Sequence, residues 1–471
     1  MIASLIAVFT TLNAQDSVFS YHHEGNTLYY LIDSNGSASL VSPEYPNFNI
    51  DTENYLCLPW LGYTEPKDTV IVPDSVEYNG VYYPVTHVME RAFERCDSIT
   101  YIVFPSTLRT IGLGAMAYCQ GLQSVSLQEG LVSIDGDAFY SDSNLLSIVI
   151  PEGVTSIGAY TFTDCILLTS VTLPNSLTLI DSLLFYNCPK LQHINMPANL
   201  VEIGPWAFDS DSSLTEIILP EGFRTINGIA FQNCSGLRHV SLPSTLDSVG
   251  PWAFYSCSSL DTMIFPDALQ HIGKICMEMC SSLSYCHLPE QLKFIDEWLL
   301  YGTNLTTLEV PSHVTHIDMG ALAGCLSLHK VILPASLTAL GDSVFIDGTP
   351  LDTLVLRCTT PPTVNESAFT EYTATLIVPC GSAQSYRQHS LWSRFSNITE
   401  DCSTGIEGAE NEEWDMEISV VDRHIVVAGA KEETVQVFDI TGRHIINSQL
   451  PMGVFLVKVE NHPAHKVIVM Q

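Results

Sequence analysis

The side chains that could do chemistry in this 471-residue chain are 15 histidines, 14 cysteines and 52 carboxylates, set against 18 lysines and arginines. A metal centre needs three or four ligands at short, characteristic spacings. His22 stands beside His23 and His313 close to His316, but neither pair has a spaced third ligand, so no metal site is indicated. The sequence holds no His-Glu-x-x-His, no Gly-x-Ser-x-Gly, no phosphate-binding loop and no Gly-x-Gly-x-x-Gly behind a strand. Zinc peptidases, esterase-type hydrolases and nucleotide-dependent enzymes are left without their signatures. Neither catalysis nor a cofactor is expected. A formal net charge of -34 argues against nucleic acid as a partner, because a phosphate backbone is held by dense Lys and Arg. No apolar run after residue 15 reaches the ~18 residues that span a bilayer.

The cysteines point to architecture. Cys96, Cys119, Cys165, Cys188, Cys234, Cys257, Cys280 and Cys325 stand on one ladder with steps of 23, 46 or 45 residues. A position shared by successive structural units suits a small buried hydrophobe, which a free Cys can be. On stacked units neighbouring Cβ vectors run parallel instead of facing, which disfavours bridging. The ladder thiols are therefore expected to be reduced. Off the ladder, Cys380 and Cys402 flank a short segment and form the one expected disulfide.

The elements that position these residues follow from the same period. Ile or Val recurs at 88, 111, 134, 157, 180, 203, 226, 249, 272, 295 and 317, and Leu at 340, in ten steps of 23 residues and one of 22. A fixed period in this range marks a solenoid or array. In the unit from Ile157 to Leu179, alternation along Val171-Thr172-Leu173 puts Val171 and Leu173 inside and Ser170 and Thr172 outside, and Pro174 stops the strand. Phe162 plugs the interior, as do Phe93, Phe139, Phe185, Phe208, Phe231, Phe254 and Phe345, with Met116, Met277, Leu300 and Leu322 as near-equals in volume. The expected fold is a β-rich solenoid of about twelve 23-residue coils over residues 88–357, stacked at roughly 4.8 Å. Open ends expose unpaired edges, so residues 15–87 and 358–402 are expected to form β caps.

One outward column of this solenoid runs Tyr101, Ser124, Ser147, Ser170, His193, Glu216, His239, Thr262, Tyr285, Thr307, Lys330 and Thr353, with His287 and Glu309 two residues beyond it in their own coils. Tyr101, His193, Glu216, His239, Tyr285, His287 and Lys330 are the binding candidates, because aromatic and amphipathic groups make contact anchors. An outward strand face also simply needs β-forming residues, so both readings stand. Polysaccharide-degrading β-helix enzymes wind coils of similar length, but Glu216 and Glu309 lie four coils apart, about 20 Å, beyond the carboxylate spacing of glycoside hydrolysis. Trp206, Trp252 and Trp298 form a second row on alternate coils, about 10 Å apart. They either fill a corner of the coil or offer a sugar-stacking platform.

The unit Ile-Gly-x-x-Ala-Phe-x-x-Cys-x-x-Leu resembles the BspA-like branch of leucine-rich repeats found in bacterial surface proteins, over about residues 70–357. Departures fall at the Cys position (Asp142, Asp211, Thr303, Gly348) and at the Pro position (Gln128, Arg357), and are expected to tilt single coils. The resemblance implies a leucine-rich-repeat solenoid that works in adhesion to host proteins, matrix or other bacteria. Residues 1–14, MIASLIAVFTTLNA, resemble a secretory signal peptide cut after Ala14. After a linker at 403–413, residues 414–471 read as five short strands of a small C-terminal β-sandwich. Val435-x-Val437-Phe438-Asp439-x-Thr441-Gly442-Arg443, Gly453 to Val459 and Lys466 to Val469 resemble the C-terminal sorting domain of the type IX (Por) secretion system. That resemblance implies the secretion machinery as a partner and a cell-surface or extracellular location. The combined expectation is a non-catalytic adhesion protein with host or bacterial protein partners. Glycan capture is the alternative, and a polysaccharide-degrading enzyme the third.

Overall fold

The structure, a computed structural model, describes residues 18–47, 50–51 and 56–402, together with the strands between 418 and 469. The expected signal peptide and linker, and the Thr441-Gly442 turn, lie outside the described residues. The chain divides into two units, one up to Asp401 and one from Cys402.

The first unit is a β-rich solenoid of about 14 turns, with one short α-helix among the described residues, Ala383–Gln388, and a 3-10 turn, Trp392–Arg394. Each repeat contributes a strand such as Ser170–Thr172, a second strand such as Leu179–Ile180, and a run of turns holding the buried Phe and Cys. Like strands of successive coils pair in parallel and in register, as in Ser147↔Ser170↔His193 and Glu202↔Thr225↔Ser248. Buried Ile and Val on these strands, the Phe column and the Cys column form one continuous core. Phe139, Phe162, Phe185, Phe208, Phe231 and Phe254 stack with centroids 5.2–5.5 Å apart. This places the coils at nearly the separation of paired strands.

The stack continues past the periodic sequence at both ends. Asp68–Ile71 pairs with Ile99–Val103, and Thr353–Leu356 pairs on to Thr375–Pro379 and then Asn397–Asp401. The expectation of about twelve coils is therefore short by about two. The added turns keep the strand but change the intervening loop, and periodicity is blind to them. Beyond the second strands, an antiparallel meander of Phe19–His23, Asn26–Ile32 and Ala38–Val41 joins Val81–Val88 through a parallel pairing of Ala38–Val41. At the other end the buried indole of Trp392 donates to the Pro362 carbonyl at 2.8 Å.

The turns are stitched along the axis by a backbone device. Two residues per coil take left-handed φ, for example Tyr160 (63°) and Asp164 (60°), Ile229 (66°) and Asn233 (57°). In this conformation the N–H of Tyr160 donates to Ser182 O, and that of Asp164 to Tyr186 O, in the following coil. The second-strand ladder donates the other way: Gly112 N bonds back to Val88 O.

The ladders are not continuous. On the first strand face, pairing stops between His193–Ile194 and Glu216–Ile218, between His239–Ser241 and Thr262–Ile264, and between Tyr285–His287 and Thr307–Glu309. On the second it stops between Ser156–Ile157 and Leu179–Ile180, and between Ile272 and Ile295. At the junction of the coils starting at Ile272 and Ile295, both strand faces are unpaired at once. Backbone bonds from Ile275, Met277, Met279 and Asn304 hold it, with His271–Asp296 and Lys274–Glu297 pairs at 3.5 Å.

The second unit contains a hairpin of Ile418–Val421 with His424–Val427, and a four-stranded antiparallel sheet in the order His444–Ile445, Val435–Asp439, Gly453–Val459, His465–Val469.

Candidate functional site

The outward column emerges as a registered row in segments. Tyr101, Ser124, Ser147, Ser170 and His193 lie in consecutive partnered strands. Glu216 pairs with His239, and Thr262 with Tyr285. Lys330 sits between Thr307 and Thr353. His193, Glu216, His239, Tyr285 and Lys330 are exposed, whereas Tyr101 is half-buried. Not every candidate is equally available. His287 lies 2.7 Å from the Asp267 carboxylate, and Glu309 accepts from the Arg357 guanidinium two coils on at 2.8 Å.

The ladder breaks turn part of this row into a groove. A cleft of about 910 Å³ spans the first break, lined among others by Gln192, His193, Asn195, Thr215, Glu216 and Arg238. Asn195 directly follows the last paired strand before the break. Its side-chain amide donates to Leu173 O at 2.8 Å and its carbonyl accepts Leu173 N–H at 2.7 Å. A side chain thus takes the place of the backbone carbonyl that meets the preceding coil elsewhere, as Thr172 O accepts Ile150 N–H. Glu216 and His239 approach to 3.9 Å on the groove's rim, both well exposed, so this pair holds little energy. The lining is mostly hydrogen-bonding groups, with Val171 and Ile194 among them and Arg238 and Glu216 offsetting each other in charge. The sequence carried a signal for this: Asn is depleted in strands, and it stands where neighbouring coils have Thr172 and Ile218.

No catalytic constellation forms along the row. Glu216 faces His239, and Glu309 faces Arg357; neither sits beside a second carboxylate in acid–base geometry. The three tryptophans occupy another column, each at a left-handed position (φ 57°, 56° and 54°). Trp206 is 39% exposed and the other two are half-buried. Lys274 lies 5.8 Å over the Trp252 ring, and the Trp298 ring packs where a side chain on Gly320 would stand.

The ladder cysteines are free and buried, and burial pushes their thiols up from the ordinary range. Each of several thiols donates to the carbonyl 26 residues back, as Cys188 does to Phe162 O at 3.1 Å and Cys234 to Phe208 O at 3.0 Å. Cys380 and Cys402 are disulfide-bonded. Asp142 and Asp211 take the Cys position without leaving the core. Both are wholly buried, one oxygen of each accepts the N–H of Cys119 or Cys188 (2.8 and 2.7 Å), and the other has no partner.

These features define a class: a parallel solenoid of leucine-rich repeats with a polar groove on its strand face and no catalytic centre among the described residues. Six copies of the BspA type leucine rich repeat region match across residues 86–215, 132–261 and 250–375. The chain belongs to that family. Solved structures similar to it include a leucine rich cell surface protein from Faecalibacterium prausnitzii, at 23% identity over 73% of this chain and 96% of that one, TM-score 0.46. A leucine-rich repeat protein from Bacteroides ovatus matches at 23% identity over 73% and 94%, TM-score 0.44. The leucine rich repeat protein of T. pallidum matches at 24% over 53% and 95%, TM-score 0.35. No curated protein matches the chain. Among the described residues no helix is long and apolar enough to cross a membrane.

Proposed function

We propose that this protein is a non-catalytic adhesin-like binding protein that meets protein partners outside the cell through its strand face, centred on the groove between His193 and Arg238. The observation that carries the reading is the groove itself: a polar cleft made by interrupting a ladder that the repeat could have continued. Hydrogen-bonding side chains there are offered to a partner, with Tyr285, His239 and Lys330 as anchors along the same row. A surface location accords with the family and with the resemblance of residues 1–14 and 414–471 to export signals. The second unit then serves the secretion machinery, and the parts of residues 15–87 and 358–402 beyond the added turns cap the solenoid.

The test is binding of the full chain to arrayed host matrix proteins and bacterial surface proteins, beside a variant carrying His193→Ala, Glu216→Ala, His239→Ala and Tyr285→Ala. A partner lost by the variant at unchanged Tm supports the groove. A partner bound equally by both, or none bound by either, overturns it.

A further inference from the structure

The fold demands a left-handed residue at the first stitching position of every coil but does not dictate its side chain. Arg91, Gly114 and Asp137 fill it in the early coils, and Gly320 and Ser343 in the late ones. Between them stand seven bulky side chains in succession: Tyr160, Leu183, Trp206, Ile229, Trp252, Ile275 and Trp298, with φ between 54° and 66°. Large and β-branched residues tolerate this conformation worst. Strain kept where the fold would accept Gly or Asp points to a use for the side chain.

These residues are not hidden as core. Tyr160 is 42% and Trp206 39% exposed, and the other five are half-buried. The result is a narrow apolar stripe, one side chain wide, with an indole on every second coil from Trp206 on. The second left-handed position of these coils holds Asp164, Asn187, Ser210, Asn233 and Ser256, then Met279 and Gly302; Asn187 donates to Asp164 at 2.7 Å, and Lys274, paired with Glu297, lies 5.8 Å over the Trp252 ring. The stripe lies in a different column from the groove.

From this geometry we infer a second binding site, for a neutral, linear, β-linked polysaccharide lying along the solenoid axis. Aromatic faces receive the apolar faces of sugar rings, and the amides and hydroxyls of the second left-handed positions receive their hydroxyls. A platform repeated on alternate coils about 10 Å apart offers equivalent sites to a ligand that repeats with a similar step, as an extended β-linked chain does and a folded protein does not. The net charge of -34 repels polyanions, which selects uncharged chains.

Affinity electrophoresis of the full chain in hydroxyethylcellulose, mixed-linkage β-glucan, glucomannan and xylan tests the site. The triple variant Trp206→Ile, Trp252→Ile, Trp298→Ile keeps the apolar bulk that Ile229 and Ile275 show the coil accepts, and removes only the aromatic faces. An alanine triple removes both, and thermal melts report whether each variant folds. Retardation of the wild type in at least one polymer, weakened about tenfold or more in the isoleucine triple at unchanged Tm, is the expected result. No retardation in any of the four, or equal retardation of the isoleucine triple, overturns the inference. Because the groove residues are untouched, its success or failure is independent of the protein-binding test.

Discussion

Replacing Asp142 and Asp211 together by Cys should reverse part of the pH dependence of stability. Burial is the main cause that raises both carboxyls, which ordinarily titrate near 3.9; Asp97 adds to it at Asp142 and Asp209 at Asp211, while the Cys119 and Cys188 N–H bonds oppose it. The folded chain keeps protons that the unfolded chain releases once pH exceeds that ordinary value. The stabilising contribution is complete below it and lost as pH rises. Each group gives a slope of about 1.4 kcal/mol per pH unit, so two give about 2.7. Above that ordinary value the wild type should therefore lose stability relative to the double variant as pH rises, for as long as the folded carboxyls hold their protons. The sites are 69 residues apart, three coils or roughly 14 Å, and should act additively. Other carboxyls, such as the exposed Asp135 and the buried Asp209, also titrate upward, but they remain in both proteins and largely cancel. Urea unfolding followed by Trp fluorescence under reducing conditions, at pH 4.5, 5.5 and 6.5, measures the difference. A gap between the two proteins that stays constant across this range would refute the reasoning.

Three other outcomes follow from the packing. Phe208→Ala, between Phe185 and Phe231 at 5.3 and 5.2 Å, should cost about 3–5 kcal/mol in denaturant unfolding. Gly320→Ala combines a left-handed φ of 66° with collision against the Trp298 ring and should cost about 2–4 kcal/mol, whereas Gly153→Ala, where nothing lies within 4 Å, should show only the backbone strain in its melting temperature. Burial pushes the Cys276 thiol up to about 12 and raises those of Cys188 and Cys234. Thiol reagent at pH 8 should label them only after denaturation, and peptide mapping without reductant should recover Cys380 joined to Cys402.

The periodic part of the fold was legible because every coil solves one packing problem with one residue pattern. Phe162 and Cys165 could be placed in the core from their spacing alone. The end turns escaped because Asp68–Ile71 and Asn397–Asp401 pair as strands without the Ile-Gly and Phe-x-x-Cys marks. The outward row was readable from alternation, but the groove was not. It lies where pairing between His193–Ile194 and Glu216–Ile218 lapses, a relation between coils that no single repeat reveals. The left-handed columns were missed for a different reason: outside Gly114, Gly302, Gly320 and Gly324 they lack the Gly that announces such a conformation.

The junction between the coils beginning at Ile272 and Ile295 has a mechanical meaning. A rod anchored at one end and gripping a partner at its side is loaded in tension whenever the two surfaces drift apart. Elsewhere each gap in one strand ladder is bridged by the other, as staggered joints strengthen masonry. Here the joints coincide, and the load passes to the turn-side bonds, the shared core and two ion pairs near the surface. Pulled along its axis, the solenoid should tear at this seam first, leaving the His193–Arg238 groove whole on the fragment that precedes it.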